Sequence, residues 1–218
     1  MTKSIHFIGD SHLMAIYNGF MCYSFKIHTA EKNLADPTSE KYVSVYNKEN
    51  DLMIHFHIKP GRLAYKPDYE NIKSLDKIKA GDTVIACMGE CDVRLHLYRF
   101  NSTKEVAQAY VRDTVSYFAE NKLFFLTPLP PLNETIFLSS IKRGNHYSPP
   151  KERIDEQETF VTELNALCSE LDLPQPIDIG FGSYFLDSTH RSEDELHVNI
   201  FYSKKIAEAI LSRKDIQE

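Results

Sequence analysis

A short apolar run, Ile5 to Ile8, stops at Gly9-Asp10 and delivers Ser11 and His12 just before a segment with helical spacing. A strand that ends in glycine and turns into a helix puts the serine at the carboxyl edge of a sheet, its backbone N–H close to the helix N-terminus. Serine is a poor nucleophile at its free pKa. It needs a base within hydrogen-bond reach, and that base needs an acceptor to fix its tautomer. Asp194-Glu195-Leu196-His197, near the other end of the chain, offers both. Asp194 can turn back to accept Nδ1–H of His197, which leaves Nε2 to take the Ser11 proton. Taken alone, an Asp-x-x-His tetrapeptide is common, and Asp194 reads equally well as a helix cap. Asp187-Ser188-Thr189-His190 has the same form, so His190 competes with His197 for the role of base.

A second polar set follows the apolar run Thr83 to Met88, in Gly89-Glu90-Cys91-Asp92-Val93-Arg94-Leu95-His96. Glu90, Asp92, Arg94 and His96, together with His12, are the candidate substrate-binding residues, because a plain loop needs neither an arginine nor a histidine there. The competing reading makes Asp92 a helix cap and leaves Arg94 in solvent. His55 and His57 alternate with Phe56, so they share one face of a strand. A metal would need a third ligand there, and the neighbouring sequence supplies none. They are read as strand histidines, and no metal or cofactor is expected. Cys22, Cys87, Cys91 and Cys168 are few and widely spaced, and they read as free thiols.

The elements that must position these groups alternate in type. Residues 5–8, 42–46, 52–58, 83–88 and 123–126 read as strands, with a weaker candidate at 25–28 and a last one at 176–179. Residues 12–20, 69–78, 103–121, 151–171 and 200–211 carry helical periodicity. Residues 128–150 hold five prolines and no steady period, which makes them a candidate substrate-facing loop. Strands separated by helices imply a three-layer α/β/α sandwich around a mostly parallel sheet of about five strands, with ligands gathering at the carboxyl ends of the strands.

The chain has 218 residues, 42% of them hydrophobic, which suits one domain spanning 1–218 with a substantial core. A net charge of −6 without a basic stripe argues against a nucleic-acid partner. No apolar run approaches the ~20 residues needed to cross a bilayer. His6, Gly9 and Asp10 interrupt any signal-peptide core, so a cytoplasmic location and no membrane partner are expected.

Gly9-Asp10-Ser11 and Asp194-x-x-His197 together resemble the first and fifth sequence blocks of the SGNH hydrolase superfamily, the GDSL esterases and lipases. Both sit where that family places them, near the start of the chain and just before the last helix. The resemblance implies a three-layer sandwich (SGNH/flavodoxin-like) with Ser11 as nucleophile, His197 as base and Asp194 as its orienting acid. It also implies an oxyanion hole built from the Ser11 N–H, a glycine of the second block and an asparagine of the third. Gly61, in Lys59-Pro60-Gly61-Arg62, is the best match for the glycine. The third block falls at Gly89-Glu90-Cys91-Asp92, where Cys91 replaces the asparagine with a weaker donor. Losing one such donor typically costs about 100- to 1000-fold in rate. Arg94 or His96 could supply the missing contact. The implied activity is hydrolysis of a small O-acylated polar substrate, such as an acetylated carbohydrate, through an acyl-enzyme. An O-acyltransferase using the same site, and a binding domain that has lost chemistry, are the alternatives.

Overall fold

The computed structural model describes residues 2–32, 39–93, 102–129, 150–178 and 198–217. Six strands form one sheet: β1 (Lys3–Gly9), β2 (Lys26–Lys32), β3 (Lys41–Asn47), β4 (Leu52–Ile58), β5 (Thr83–Cys87) and β6 (Lys122–Phe125). Their spatial order is β2-β3-β4-β1-β5-β6. β1 pairs in parallel with both β4 and β5, and β6 continues parallel to β5, whereas β3 is antiparallel to both of its neighbours. Five strands therefore share one direction and β3 alone opposes them. The sheet has six strands where about five were expected, the sixth being β2, the weaker candidate at residues 25–28, which pairs antiparallel with β3. The last strand candidate reduces to a single parallel bridge between Leu126 and Ile177.

The helices are α1 (Leu13–Phe20), α2 (Thr103–Tyr117), α3 (Pro150–Glu170), α4 (Ile200–Ser212) and the short α5 (Lys214–Gln217). α1, α4 and α5 cover one face of the sheet, where Leu13, Ile16, Phe20, Ile206 and Ile210 pack on Ile5, Phe7, Ile54 and Phe56. α2 and α3 cover the other, where Tyr110, Val111, Phe160 and Leu164 meet Ile8, Val84, Ala86 and Phe125. Successive strand residues point to opposite faces, so both faces of β1 and β5 are apolar, as a covered parallel sheet requires. The result is the expected three-layer sandwich. At Gly19, α1 lies so close to α4 that an added Cβ would collide with the Ser203 carbonyl oxygen.

Residues 69–78, expected as one α-helix, form two 3₁₀ turns, Tyr69–Asn71 and Lys73–Lys77, separated by extended Ile72. Tyr69, Ile72 and Leu75 are all buried. Their spacing is three residues, which matches the 3.0-residue period of a 3₁₀ helix better than 3.6. Among the described residues, no helix is long and apolar enough to cross a membrane.

Candidate active site

β1 and β5 are neighbours, yet the helix after β1 goes to one face of the sheet and the helix after β5 to the other. The crevice between their carboxyl ends is the switch point at which open α/β sheets bind ligands. Gly9 pairs with Cys87, so the two turns leave the sheet side by side. Only glycine fits at this position, because a Cβ on Gly9 would fall inside the carbonyl oxygen of Cys87. That close approach brings residues 10–12 against residues 90–92.

The turn after β1 is held by Asp10, a residue the sequence reading did not single out. Asp10 is 2% exposed. Its Oδ1 accepts the His12 backbone N–H at 2.8 Å, and its carbonyl accepts the Leu13 N–H at 3.2 Å. An aspartate bonding two residues ahead at a helix start is a legible turn signal. The arrangement opens α1 at His12 and leaves Ser11 partly exposed at the carboxyl edge of β1. The Ser11 carbonyl accepts the Met14 N–H at 3.0 Å and so joins the first turn of the helix.

From the opposite turn, Cys91 donates its thiol proton to Asp10 Oδ2 at 3.3 Å. Cys91, expected in place of an oxyanion-hole asparagine, is thus 5% exposed and turned towards the carboxylate. Glu90 Oε2 lies 2.7 Å from His12 Nε2, and both side chains are buried. A carboxylate accepts only, so His12 carries a proton on Nε2 in this arrangement. Asp10, His12, Glu90 and Cys91 each offer one ligand atom, and the four atoms lie within 4.8 Å of one another. Asp10, His12 and Glu90 also line a small cavity of about 20 Å³ with Met88, Thr127 and Leu129, room for roughly one water.

Asp92 was expected to touch substrate; its carboxylate is directed elsewhere. It is 0% exposed, and its two oxygens accept the backbone N–H groups of Ala64 at 2.6 Å and Tyr65 at 3.1 Å. Burial raises its pKa to about 6, against the lowering effect of those two bonds. Asp92 therefore fastens the loop that follows β4 to the turn that follows β5. Gly61 lies in that loop, exposed and at φ +70°, and a Cβ there would meet nothing within 4 Å. Glycine is favoured at this point by its left-handed backbone and not by steric approach. Arg62, beside it, is buried and donates to the Asp68 carbonyl at 2.9 Å.

Asp187, His190, Asp194 and His197, the candidate base and its orienting acid in either version, lie outside the described residues. So do Arg94, His96 and most of the proline-rich segment 128–150. The chain resumes at Val198, which is 3% exposed and packs in the core shared with α1, and Asn199 then caps α4 by accepting the Tyr202 N–H.

His55 and His57 do share a face, and His6 of β1 joins them there. The rings of His6 and His55 stack at 4.2 Å, and those of His6 and His57 at 5.3 Å. Ser74 Oγ lies 2.9 Å from His57 Nδ1, His57 Nε2 lies 3.0 Å from His6 Nδ1, and His6 Nε2 faces Asp82 Oδ2 at 3.2 Å. A proton on His6 Nε2 suits the carboxylate, which makes His6 Nδ1 an acceptor, His57 Nε2–H the donor to it, and Ser74 the donor to His57. All three rings are neutral in this chain. Burial lowers the pKa of His6 to about 4 and of His55 to about 3, and it holds His57 well below the usual histidine range. The rings of His6 and His57 bond each other and His55 Nδ1 lies 2.7 Å from the Tyr42 hydroxyl, so this cluster is a packed network on the sheet, away from the crevice.

No protein-family model matches the sequence, and no curated protein is similar to it. Solved structures are similar in fold. A carbohydrate acetylesterase from Sinorhizobium meliloti is 15% identical, with a TM-score of 0.57 over 95% of this chain and 96% of that one. An aryl esterase from M. smegmatis is 14% identical, with a TM-score of 0.56 over 95% of each chain. A protein assigned to the SGNH hydrolases, from Slackia heliotrinireducens, is 11% identical, with a TM-score of 0.56 over 96% and 97%. The chain has the fold of the SGNH hydrolases.

Proposed function

We propose that the protein is a serine ester hydrolase that works through an acyl-enzyme. One observation carries the reading: Ser11 stands at the carboxyl end of β1, at the switch point, on a turn fixed by Asp10 and packed against the polar turn after β5. Ser11 attacks the ester carbonyl. His197 takes the serine proton and returns it to the leaving alcohol, while Asp194 holds the imidazole tautomer. Water then releases the acyl group by the same steps in reverse order. The N–H groups of Ser11 and Gly61 stabilise the oxyanion. Of the polar residues assigned to receive the alcohol portion, His12 and Glu90 are buried and bonded to each other, and Arg94 and His96 are assigned that role from their place in the sequence. The burial of Val198 in the α1 core supports this assignment, because it tethers the residue after His197 to the layer that carries Ser11.

The substrate we infer is a small O-acylated polar molecule such as an acetylated carbohydrate. The polar residue set His12, Glu90, Arg94 and His96 favours it, and so does the fold shared with a carbohydrate acetylesterase. A second reading, a binding domain without turnover, draws support from Cys91, whose thiol is bonded to Asp10 and is no match for an amide donor. Turnover of short-chain p-nitrophenyl esters and acetylated sugars by the parent protein, Ser11→Ala, His197→Ala and His190→Ala separates the readings. Hydrolysis by the parent, lost in Ser11→Ala and His197→Ala, is expected. No turnover on any acyl substrate favours the binding domain. Loss in His190→Ala with retention in His197→Ala reassigns the base.

A further inference from the structure

We propose that Asp10, His12, Glu90 and Cys91 form a four-ligand site for one divalent transition-metal ion of the zinc class. The inference concerns ion binding; its ligands include His12 and Glu90, which the ester-hydrolase reading places beside substrate, and Asp10, which fixes the Ser11 turn, so its test reads metal uptake and not turnover. Its basis is a donor set and a geometry. An imidazole nitrogen, a thiol sulfur and two carboxylate oxygens are the donors that zinc takes, whereas magnesium and calcium select oxygen alone. All four side chains are buried: Asp10 at 2% exposure, Glu90 at 4%, His12 and Cys91 at 5%. Their ligand atoms lie within 4.8 Å of one another.

Of the two close edges of the cluster, one stands at the spacing of a coordination sphere and the other is shorter. Zinc bonds of about 2.0–2.1 Å to nitrogen or oxygen and about 2.3 Å to sulfur place tetrahedral neighbours roughly 3.3–3.5 Å apart. Cys91 Sγ and Asp10 Oδ2 stand 3.3 Å apart, already at that separation. His12 Nε2 and Glu90 Oε2 stand 2.7 Å apart and need to open by roughly 0.6–0.8 Å. The ligands come in pairs, Asp10 with His12 and Glu90 with Cys91, from two turns that the Gly9–Cys87 pairing holds side by side. Asp10 Oδ1 remains on the His12 backbone N–H throughout, so the helix start is preserved while Oδ2 coordinates. Binding balances as follows. Cys91 releases its thiol proton to solvent and coordinates as thiolate. The His12 ring proton moves from Nε2 to Nδ1, which frees the Nε2 lone pair for the metal.

The test is cobalt titration of full-length protein first stripped with a chelator. One Co²⁺ per chain is expected, with the strong visible absorption of a tetrahedral site and a thiolate-to-cobalt charge-transfer band, both erased by added Zn²⁺. Cys91→Ser removes the charge-transfer band, and Glu90→Gln weakens binding at least roughly tenfold. Cys22→Ser changes neither, since Cys22 is an exposed thiol outside the cluster. Circular dichroism establishes that each variant is folded, and Glu90→Gln tests the site if Cys91→Ser does not fold. Absence of stoichiometric uptake by the parent protein overturns the proposal. A charge-transfer band that survives in folded Cys91→Ser, or binding unchanged in Glu90→Gln, overturns it too.

Discussion

Acidification below about pH 6 should destabilise the fold, and the cause is the stack of His6, His55 and His57. A histidine held neutral by burial has a folded-state pKa below its unfolded value of about 6.5. Its stabilising contribution is complete above that unfolded value and is lost as pH falls towards the folded value, because the unfolded chain binds the proton first. For His6 the window runs from 6.5 down to about 4. His57 behaves the same way and titrates lower still than an ordinary histidine. His55 is more exposed and counts for less. Asp92 opposes them, since burial raises its folded pKa to about 6, and the native state therefore takes up a proton between 6 and the ordinary aspartate value of 3.8. Each net proton is worth about 1.4 kcal/mol per pH unit. Two to three histidines against one aspartate leave one to two protons, or roughly 1–3 kcal/mol lost per unit below about pH 6. Against a typical total of about 5–15 kcal/mol this is a large fraction. Asp82, 3.2 Å from His6, and Lys77, near His55 and His57, are the other charges facing the stack. Urea unfolding at pH 6 and pH 5 measures the slope. In the double variant His6→Leu, His57→Leu the two protons disappear, and the slope becomes flat or reverses sign as Asp92 takes over. The loss of a partner for Ser74 lowers stability at every pH without altering the slope. A parent protein whose stability holds or rises between pH 6 and 5, or a double variant with the parent's slope, refutes the reasoning.

Gly9→Ala forces a methyl group into the Cys87 carbonyl and should cost about 3 kcal/mol or more, with turnover lost as β1 and β5 separate; thermal unfolding beside an ester assay checks it. Asp92→Asn leaves one of the Ala64 and Tyr65 N–H groups facing an amide donor and should cost about 1–3 kcal/mol by urea midpoint, with increased proteolysis near residue 64. Gly61→Ala should cost only about 1–2 kcal/mol, from φ +70° alone, because space for the methyl group is open; a loss above about 4 kcal/mol would point to a packing role instead.

Much of the frame was legible in the sequence because one signal at a time decided each element. Ile5 to Ile8 closing at Gly9, and Thr83 to Met88 closing at Gly89, marked the two central strands. The apolar stripes of α1, α2, α3 and α4 marked the layers that cover them. Elements set by two signals at once read less well. Tyr69, Ile72 and Leu75 recur every three residues, a period that fits a loose α-helix by eye and a 3₁₀ turn by geometry. β2 read weakly because Lys26–Lys32 mixes charged and polar residues with few apolar ones. At the site, Gly-Asp-Ser pointed to the turn, yet Asp10 passed as punctuation although its carboxylate joins both turns. Asp92 looked like a ligand-facing acid, and only the fold reveals that its partners are backbone N–H groups 27 and 28 residues earlier. His6 stayed hidden because its companions sit 49 and 51 positions away, on a strand that becomes its neighbour only in the sheet.

The central claim is that Ser11 is a nucleophile, and covalent trapping tests it directly. Full-length protein is treated with a fluorophosphonate that labels activated serines, and the adduct is weighed intact and mapped by peptide mass. One adduct per chain on the peptide containing Ser11, with ester turnover falling in step and no adduct in Ser11→Ala, is the expected result. Turnover that survives in Ser11→Ala, or a label carried by a different residue, contradicts the account.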